Sequence, residues 1–224
     1  MTAPRRPRRK GLFITFEGIE GCGKTTQLVQ AAEVLRKRGF SVVTTREPGG
    51  TPIGAHLRRL LLEQPEPIDP KAELLLMFAD RRQHLSEVIL PVLERGGVVL
   101  CDRYTDASRA YQGAGRGLGE QLVDLLHQRF CGVAPDRTYL LDLPVEIAQA
   151  RVLARQGGQR DRIEREGDDF HETVREAYRR AARRDPKRIR LLDAARTPDE
   201  VFRDLFEDLE PLLDRFQKRN PAFE

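Results

Sequence analysis

Apolar residues follow two periodicities along this chain. Short, nearly unbroken apolar runs at Leu12-Phe13-Ile14-Thr15-Phe16, Ser41-Val42-Val43-Thr44-Thr45, Val98-Val99-Leu100-Cys101, Arg137–Leu141 and Lys187–Leu192 read as strands, with Asp102 and Asp142 closing two of them. Helical patterns lie between. Thr25 to Arg38 is rich in helix formers and stops at Gly39, and Ile53, Leu57, Leu60 and Leu61 repeat at helical spacing up to Leu62. Asp69-Pro70 reads as an N-cap followed by proline at the first helical position. The helix it opens covers Lys71 to about His84 and resumes toward Glu94, with Pro91 either kinking it or starting its last segment. Pro144 opens another helix, and a last one runs from about Pro198 to Phe216. This alternation predicts an α/β fold with a mainly parallel sheet of about five strands flanked by helices. No repeat or linker divides residues 11–224, which read as one domain.

Composition adds limits. With 224 residues, 39% hydrophobic and 33% charged, the chain is long enough for a real core, and no apolar run reaches the ~18 residues of a membrane span. The net charge of +4 belongs to one place. Without Arg5, Arg6, Arg8, Arg9 and Lys10 the count is 34 basic against 35 acidic residues, a net −1. Residues 1–10 therefore read as a disordered basic tail that carries no specific nucleic-acid signal, and no apolar segment follows it as a secretory signal requires. Cys22, Cys101 and Cys131 form no C-x-x-C pair, which fits free thiols and a cytoplasmic location.

The chemistry begins at Gly18-Ile19-Glu20-Gly21-Cys22-Gly23-Lys24-Thr25-Thr26, a G-x-x-x-x-G-K-[ST] pattern set between a strand and a helix. That context separates it from a fortuitous glycine turn. Glycines let backbone N–H groups face a phosphate, and the helix N-terminus adds positive charge there. Lys24 would reach the β- and γ-phosphates of ATP, and the Thr25 hydroxyl would hold Mg²⁺. Asp102, at the end of its strand, reads either as the carboxylate that orients Mg²⁺ or as a helix cap. Arg103 beside it fits a phosphate bridge or a surface ion pair. Ser108, Tyr111 and Gln112 share one helical face, either a base-reading face or a solvated one. Arg151, Arg155, Arg160, Arg162 and Arg165 surround Gly157-Gly158. They read as a charged surface loop or as a mobile lid, at about residues 155–167, that adds positive charge to a transferring phosphoryl group. Cys22, inside the phosphate loop, is expected to be open to bulky thiol reagents, with ATP protecting it.

Glu17 to Thr26, Thr45-Arg46-Glu47-Pro48-Gly49-Gly50, Asp102-Arg103-Tyr104, Ala110-Tyr111-Gln112-Gly113 and Asp161-Arg162-Ile163-Glu164 together resemble bacterial thymidylate kinases, from about residue 12 to beyond residue 190. The resemblance implies a P-loop nucleoside-monophosphate-kinase fold with a small lid, transfer from ATP to dTMP with Mg²⁺, and a homodimer. It further implies Glu20 near the acceptor sugar and the metal, Arg46 and Glu47 at the deoxynucleotide, and Arg58 and Arg103 on its phosphate. Arg81 would contact thymine, Ser108 and Gln112 would read the base, and Tyr111 would crowd the sugar's 2′ position. Lys24, Arg103, Glu20 and the lid arginines Arg160 and Arg162 would be catalytic. The family's base-stacking phenylalanine falls on Met77 in this register, with Phe78 next to it.

Two other activities compete. A deoxynucleoside kinase would need a carboxylate base for a neutral hydroxyl, and Glu47 could serve. A nucleotide-gated switch of the GTP type should carry N-K-x-D, which is absent from the chain.

Overall fold

In a computed structural model, residues 10–156 and 160–219 are described. The tail before Lys10, the Gly157-Gly158 pair and the side chain of Arg155 lie outside the described residues. Strands β1 (Leu12–Glu17), β2 (Val42–Arg46), β3 (Val98–Asp102), β4 (Arg137–Asp142) and β5 (Ile189–Asp193) form one parallel sheet in the order β2-β3-β1-β4-β5. Alternation within the strands sends side chains to two cores. Leu12, Ile14, Phe16, Val98 and Leu100 face the layer built by α1 (Lys24–Lys37), α8 (Asp168–Arg184) and α9 (Pro198–Arg219). Phe13, Val99 and Cys101 face Leu85, Ile89, Val92 and Leu93 on the other side. Covering both faces is what makes the central strands β1, β3 and β4 read as continuous apolar runs. A polar pair inside this sandwich is matched: the Thr15 and Thr138 hydroxyls lie 2.7 Å apart across β1 and β4.

Helix α2 spans Pro52–Leu62, and α3 spans Pro70–His84. Asp69 caps α3 by accepting from the backbone N–H groups of Lys71 (2.9 Å) and Ala72 (3.1 Å), as its sequence implies. A π-helical turn, Leu85–Ile89, then leads into α4 (Leu90–Glu94), with Pro91 in its first turn. Proline cannot donate to the ladder and its ring crowds the carbonyl four residues back, which accounts for the widened turn just before it. After β3 come α5 (Thr105–Ser108), a π-helical run Arg109–Gly115 and α6 (Glu120–Leu126), continued by the π-helical turn His127–Cys131. Helix α7 is Val145–Gln156. The sequence reading did not place α6 or α8; α6 has only seven residues, and the apolar stripe of α8 is narrow and crowded by charge. β5 starts two residues later than expected, because Arg188 is held in a turn by the Asp185 carbonyl and carboxylate.

Candidate active site

The phosphate loop joins the carboxyl end of the central strand β1 to α1. Gly18 has φ 136° and Gly21 φ 77°. A Cβ on Gly18 would lie 2.5 Å from the Leu141 carbonyl oxygen, and one on Gly21 2.3 Å from that of Ala148, so neither position admits a side chain. Lys24 is buried with its ammonium over the loop, donating to the carbonyl oxygens of Gly18 (3.1 Å) and Ile19 (2.8 Å). At the start of α1 the Thr25 hydroxyl donates to Asp102 Oδ2 at 3.0 Å. Cys22 corrects an expectation. Only 2% exposed, it packs into the core with its sulfur 3.5 Å from Lys24 Nζ, so reagents in solution do not meet it.

Two hollows flank this loop. One, lined by Gly21 to Gln27 with Leu141, Arg151, Ala194, Arg196, Pro198 and Val201, faces the start of α1 and α9. The other is a cleft of about 300 Å³ beyond the carboxyl ends of β1, β2 and β3, where an open parallel sheet puts its ligands. Glu20, Lys24, Thr25, Arg46, Glu47, Arg58, Met77, Asp102, Arg103, Tyr111, Gln112 and Arg162 all line it.

Charge in the cleft is arranged for an anion. Arg58 has its pKa lowered, first by burial and then by the neighbouring charges of Arg46 and Arg103. Three guanidiniums held in mutual repulsion form a site that a phosphate would relieve. Arg103 has φ 71°, rare for a non-glycine residue, which turns its side chain off the end of β3. The guanidinium donates to Glu20 (2.6 Å), Tyr111 (3.2 Å) and Tyr178 (3.3 Å) hydroxyl or carboxylate oxygens. Burial would favour the neutral form of Glu20, but Arg103 and Lys24 outweigh it and hold the carboxyl below its ordinary pKa. The Tyr111 hydroxyl also donates to Glu20 (2.7 Å), and His171 lies 3.8 Å from the same carboxylate.

Glu47 is almost fully buried, accepting from Arg81 Nε at 2.7 Å and paired with His84 Nδ1 at 2.9 Å. Arg81 itself lies behind the cleft wall, not at its surface. It is fully buried and also donates to the Ser108 hydroxyl and the Tyr104 carbonyl, each at 3.1 Å. Ser108 is equally buried and does not line the cleft. Phe78 is corrected in the same way: it packs with Leu74 and Val123 under the Arg81 guanidinium, whose carbon is 4.8 Å from the ring centre, while Met77 faces the cleft. Helical geometry explains the difference, since neighbouring residues point about 100° apart and only one can face the hollow.

The lid arginines divide. Arg160 lies by a small separate hollow with Ile19, Glu20 and His171, with its Nη1 3.5 Å from the Glu164 carbonyl oxygen. Arg162 is drawn to the opposite wall, donating to the Leu61 carbonyl (2.8 Å) and to Glu73 Oε2 (2.5 Å). Neither meets Lys24 across the phosphate loop in this arrangement.

Several site residues escaped the sequence reading: Glu73, Tyr178, His171 and Glu17. Tyr178 and His171 lie seven apart on one face of α8, a helical spacing that was available. Glu17 follows the apolar run of β1 yet is fully buried, accepting from the Tyr104 N–H (2.7 Å) and the Tyr178 hydroxyl (2.8 Å). Nothing in its local sequence separates it from a surface carboxylate.

Comparison with known proteins decides the family. The family model for thymidylate kinase matches residues 16–205. The chain belongs to the thymidylate kinase family. The thymidylate kinase of Pseudomonas putida strain GB-1 is 51% identical over 207 residues, covering 92% of this chain and 98% of the relative. That of Alkalilimnicola ehrlichii is 49% identical over 209 residues, with 92% and 96% covered. In three dimensions the chain is similar to the crystal structure of thymidylate kinase from Ehrlichia chaffeensis, with a TM-score of 0.74, 33% identity, and 89% and 98% of the two chains covered. Its activity is that of a thymidylate kinase, an ATP-dependent phosphotransferase acting on dTMP. No helix among the described residues is long and apolar enough to cross a membrane.

Proposed function

We propose that the cleft binds dTMP, that the groove at the start of α1 binds ATP, and that transfer runs by positioning and charge stabilisation without a general base. The observation that carries this is the cluster of Arg46, Arg58 and Arg103 within electrostatic reach of one another on the cleft wall that also holds Lys24. A nucleotide phosphate already carries an ionised oxygen at neutral pH, so the acceptor needs orientation and charge screening, not deprotonation. Arg58 and Arg103 hold the acceptor phosphate, and Lys24 leaves its loop carbonyls for the donor phosphates. Glu20 fixes the Arg103 guanidinium, and Tyr111 closes the sugar's 2′ side. Met77 stacks on the base and Gln112 reads it. Arg81, Ser108 and Phe78 support that wall from behind.

The donor set fits Mg²⁺. A threonine hydroxyl and a carboxylate 3.0 Å apart supply two hard oxygens and leave the other positions to phosphate and water. Thr25 and Asp102 would hold the ion, which when bound supplies charge neutralisation at the donor phosphates. Residues 155–167 act as the lid, with Arg160 closing over the phosphates while Arg162 stays anchored on the Leu61 carbonyl and Glu73. A deoxynucleoside kinase would need Glu47 free as a base, and its pairing with Arg81 and His84 argues against that. Exposed Leu75 on α3 and exposed Leu125 and Phe130 on the adjoining α6 and its continuation support a homodimer through these helices.

The test is coupled ADP release with dTMP, dUMP, dCMP and thymidine, with and without Mg²⁺. Turnover strongest with dTMP, absent with thymidine and dependent on Mg²⁺ supports the assignment. Efficient use of thymidine would overturn it.

A further inference from the structure

Gln112 is 4% exposed and lines the cleft, yet its Oε1 has no hydrogen-bond partner among the described residues. Its amide nitrogen is directed to the protein: Nε2 donates to Glu73 Oε1 at 2.8 Å. Glu73 is itself 1% exposed and cannot turn away, because Arg162 donates to its second oxygen at 2.5 Å and Arg116 lies 3.5 Å from that oxygen. We propose that Glu73 is a positioning residue that sets base selectivity, by holding the Gln112 side chain with its oxygen toward the cleft. The inference rests on the assignment of Gln112 to the base.

The chemistry is one of donors and acceptors. A carboxylate only accepts, so the amide nitrogen must face Glu73 and the amide oxygen must face the ligand. An oxygen there pairs with a base that carries a ring N–H between two carbonyls, as thymine and uracil do. Cytosine presents a bare ring nitrogen at the same place. Two buried acceptors would then face each other without a proton, and each would lose its solvation unpaid by a bond. Sites that hydrogen-bond a particular group discriminate strongly against ligands lacking it.

Glu73→Gln tests this directly. Arg162 has only donors, so the new amide turns its oxygen to Arg162 and its NH₂ to Gln112. Gln112 then flips and offers its own NH₂ to the cleft. The ratio of kcat/KM for dUMP to that for dCMP, two acceptors that share every group except this edge, should fall at least tenfold, through the KM of dUMP rising and that of dCMP falling. Glu73→Asp keeps the charge that the two arginines need but withdraws the carboxylate from Gln112, and should give a ratio between the two. An equal loss for both nucleotides in the two variants would mean a merely structural role and would overturn the proposal. Gln112→Ala separates the premise from the inference. If it leaves the ratio unchanged, Gln112 does not read the base and both fail together. If it lowers the ratio while both Glu73 variants keep the wild-type value, only the role of Glu73 falls.

Discussion

Arg103 concentrates the residue-scale argument. It sits in left-handed backbone, bonds Glu20, Tyr111 and Tyr178, and stays charged because its carboxylate and phenol neighbours overcome the cost of burial. A side chain fixed this way before the ligand arrives loses little entropy when it takes a phosphate. Arg103→Ala should lower kcat about 10³-fold, the scale seen when a phosphoryl-bridging arginine is removed, while the KM for ATP changes little. Arg103→Lys should recover only a small part, since an ammonium cannot keep the forked bonds to Glu20 and Tyr111 and also reach an acceptor phosphate. Steady-state kinetics on both variants checks this, and near-normal turnover of the alanine variant would remove Arg103 from the mechanism.

Elements matter here through what they carry. Helix α3 brings Glu73 and Met77 to the cleft wall and Arg81 behind it, and its start depends on Asp69, whose carboxylate accepts two otherwise unpaired N–H groups. Asp69→Ala should cost about 1 kcal/mol of stability, read from urea unfolding, with kcat unchanged because Asp69 does not line the cleft and the variant keeps the backbone carbonyl that the Glu73 N–H bonds. That cap was legible from Asp69-Pro70 alone, as were the phosphate loop and all five strands, because local signals encode them: capping atoms, glycine positions and double-sided burial. The same logic explains what was not legible. Whether Met77 or Phe78 faces the cleft depends on the helix rotation, which tertiary packing sets. Arg81 withdraws behind the wall because Glu47, 34 residues away in the chain but adjacent in space, offers a buried carboxylate, and Ser108 stays with it by accepting from the Arg81 guanidinium. Glu17 and Glu73 carry no local mark at all, since a partner distant in the chain gives each its role.

At the scale of the whole molecule, buried charge ties stability to pH. Burial pushes the Glu17 carboxyl up to about 8, with the Asp106 charge adding and Arg103 opposing. Burial and the charge of Glu47 raise Asp80 to about 6. His127 moves the other way, lowered to about 4 by burial and the nearby Arg109. A carboxyl raised in the fold holds its proton where the unfolded chain has lost it, so its contribution is complete at low pH and disappears as pH rises through the folded value. A histidine lowered in the fold resists a proton that the unfolded chain accepts, so its contribution disappears as pH falls below its ordinary value. Between pH 7 and 8 Glu17 dominates, since Asp80 is almost fully ionised in both states and only the tail of the unfolded histidine's titration opposes it, and stability should decline there by up to about 1.4 kcal/mol per pH unit. Glu17→Gln keeps a neutral side chain of the same shape between Tyr104 and Tyr178 and removes the proton. Thermal unfolding in a pH series should show the wild-type melting temperature falling across this window and the variant's staying nearly level. Parallel slopes for the two proteins would mean that the Glu17 carboxylate is accommodated in the fold, with Arg103 close enough to hold it ionised.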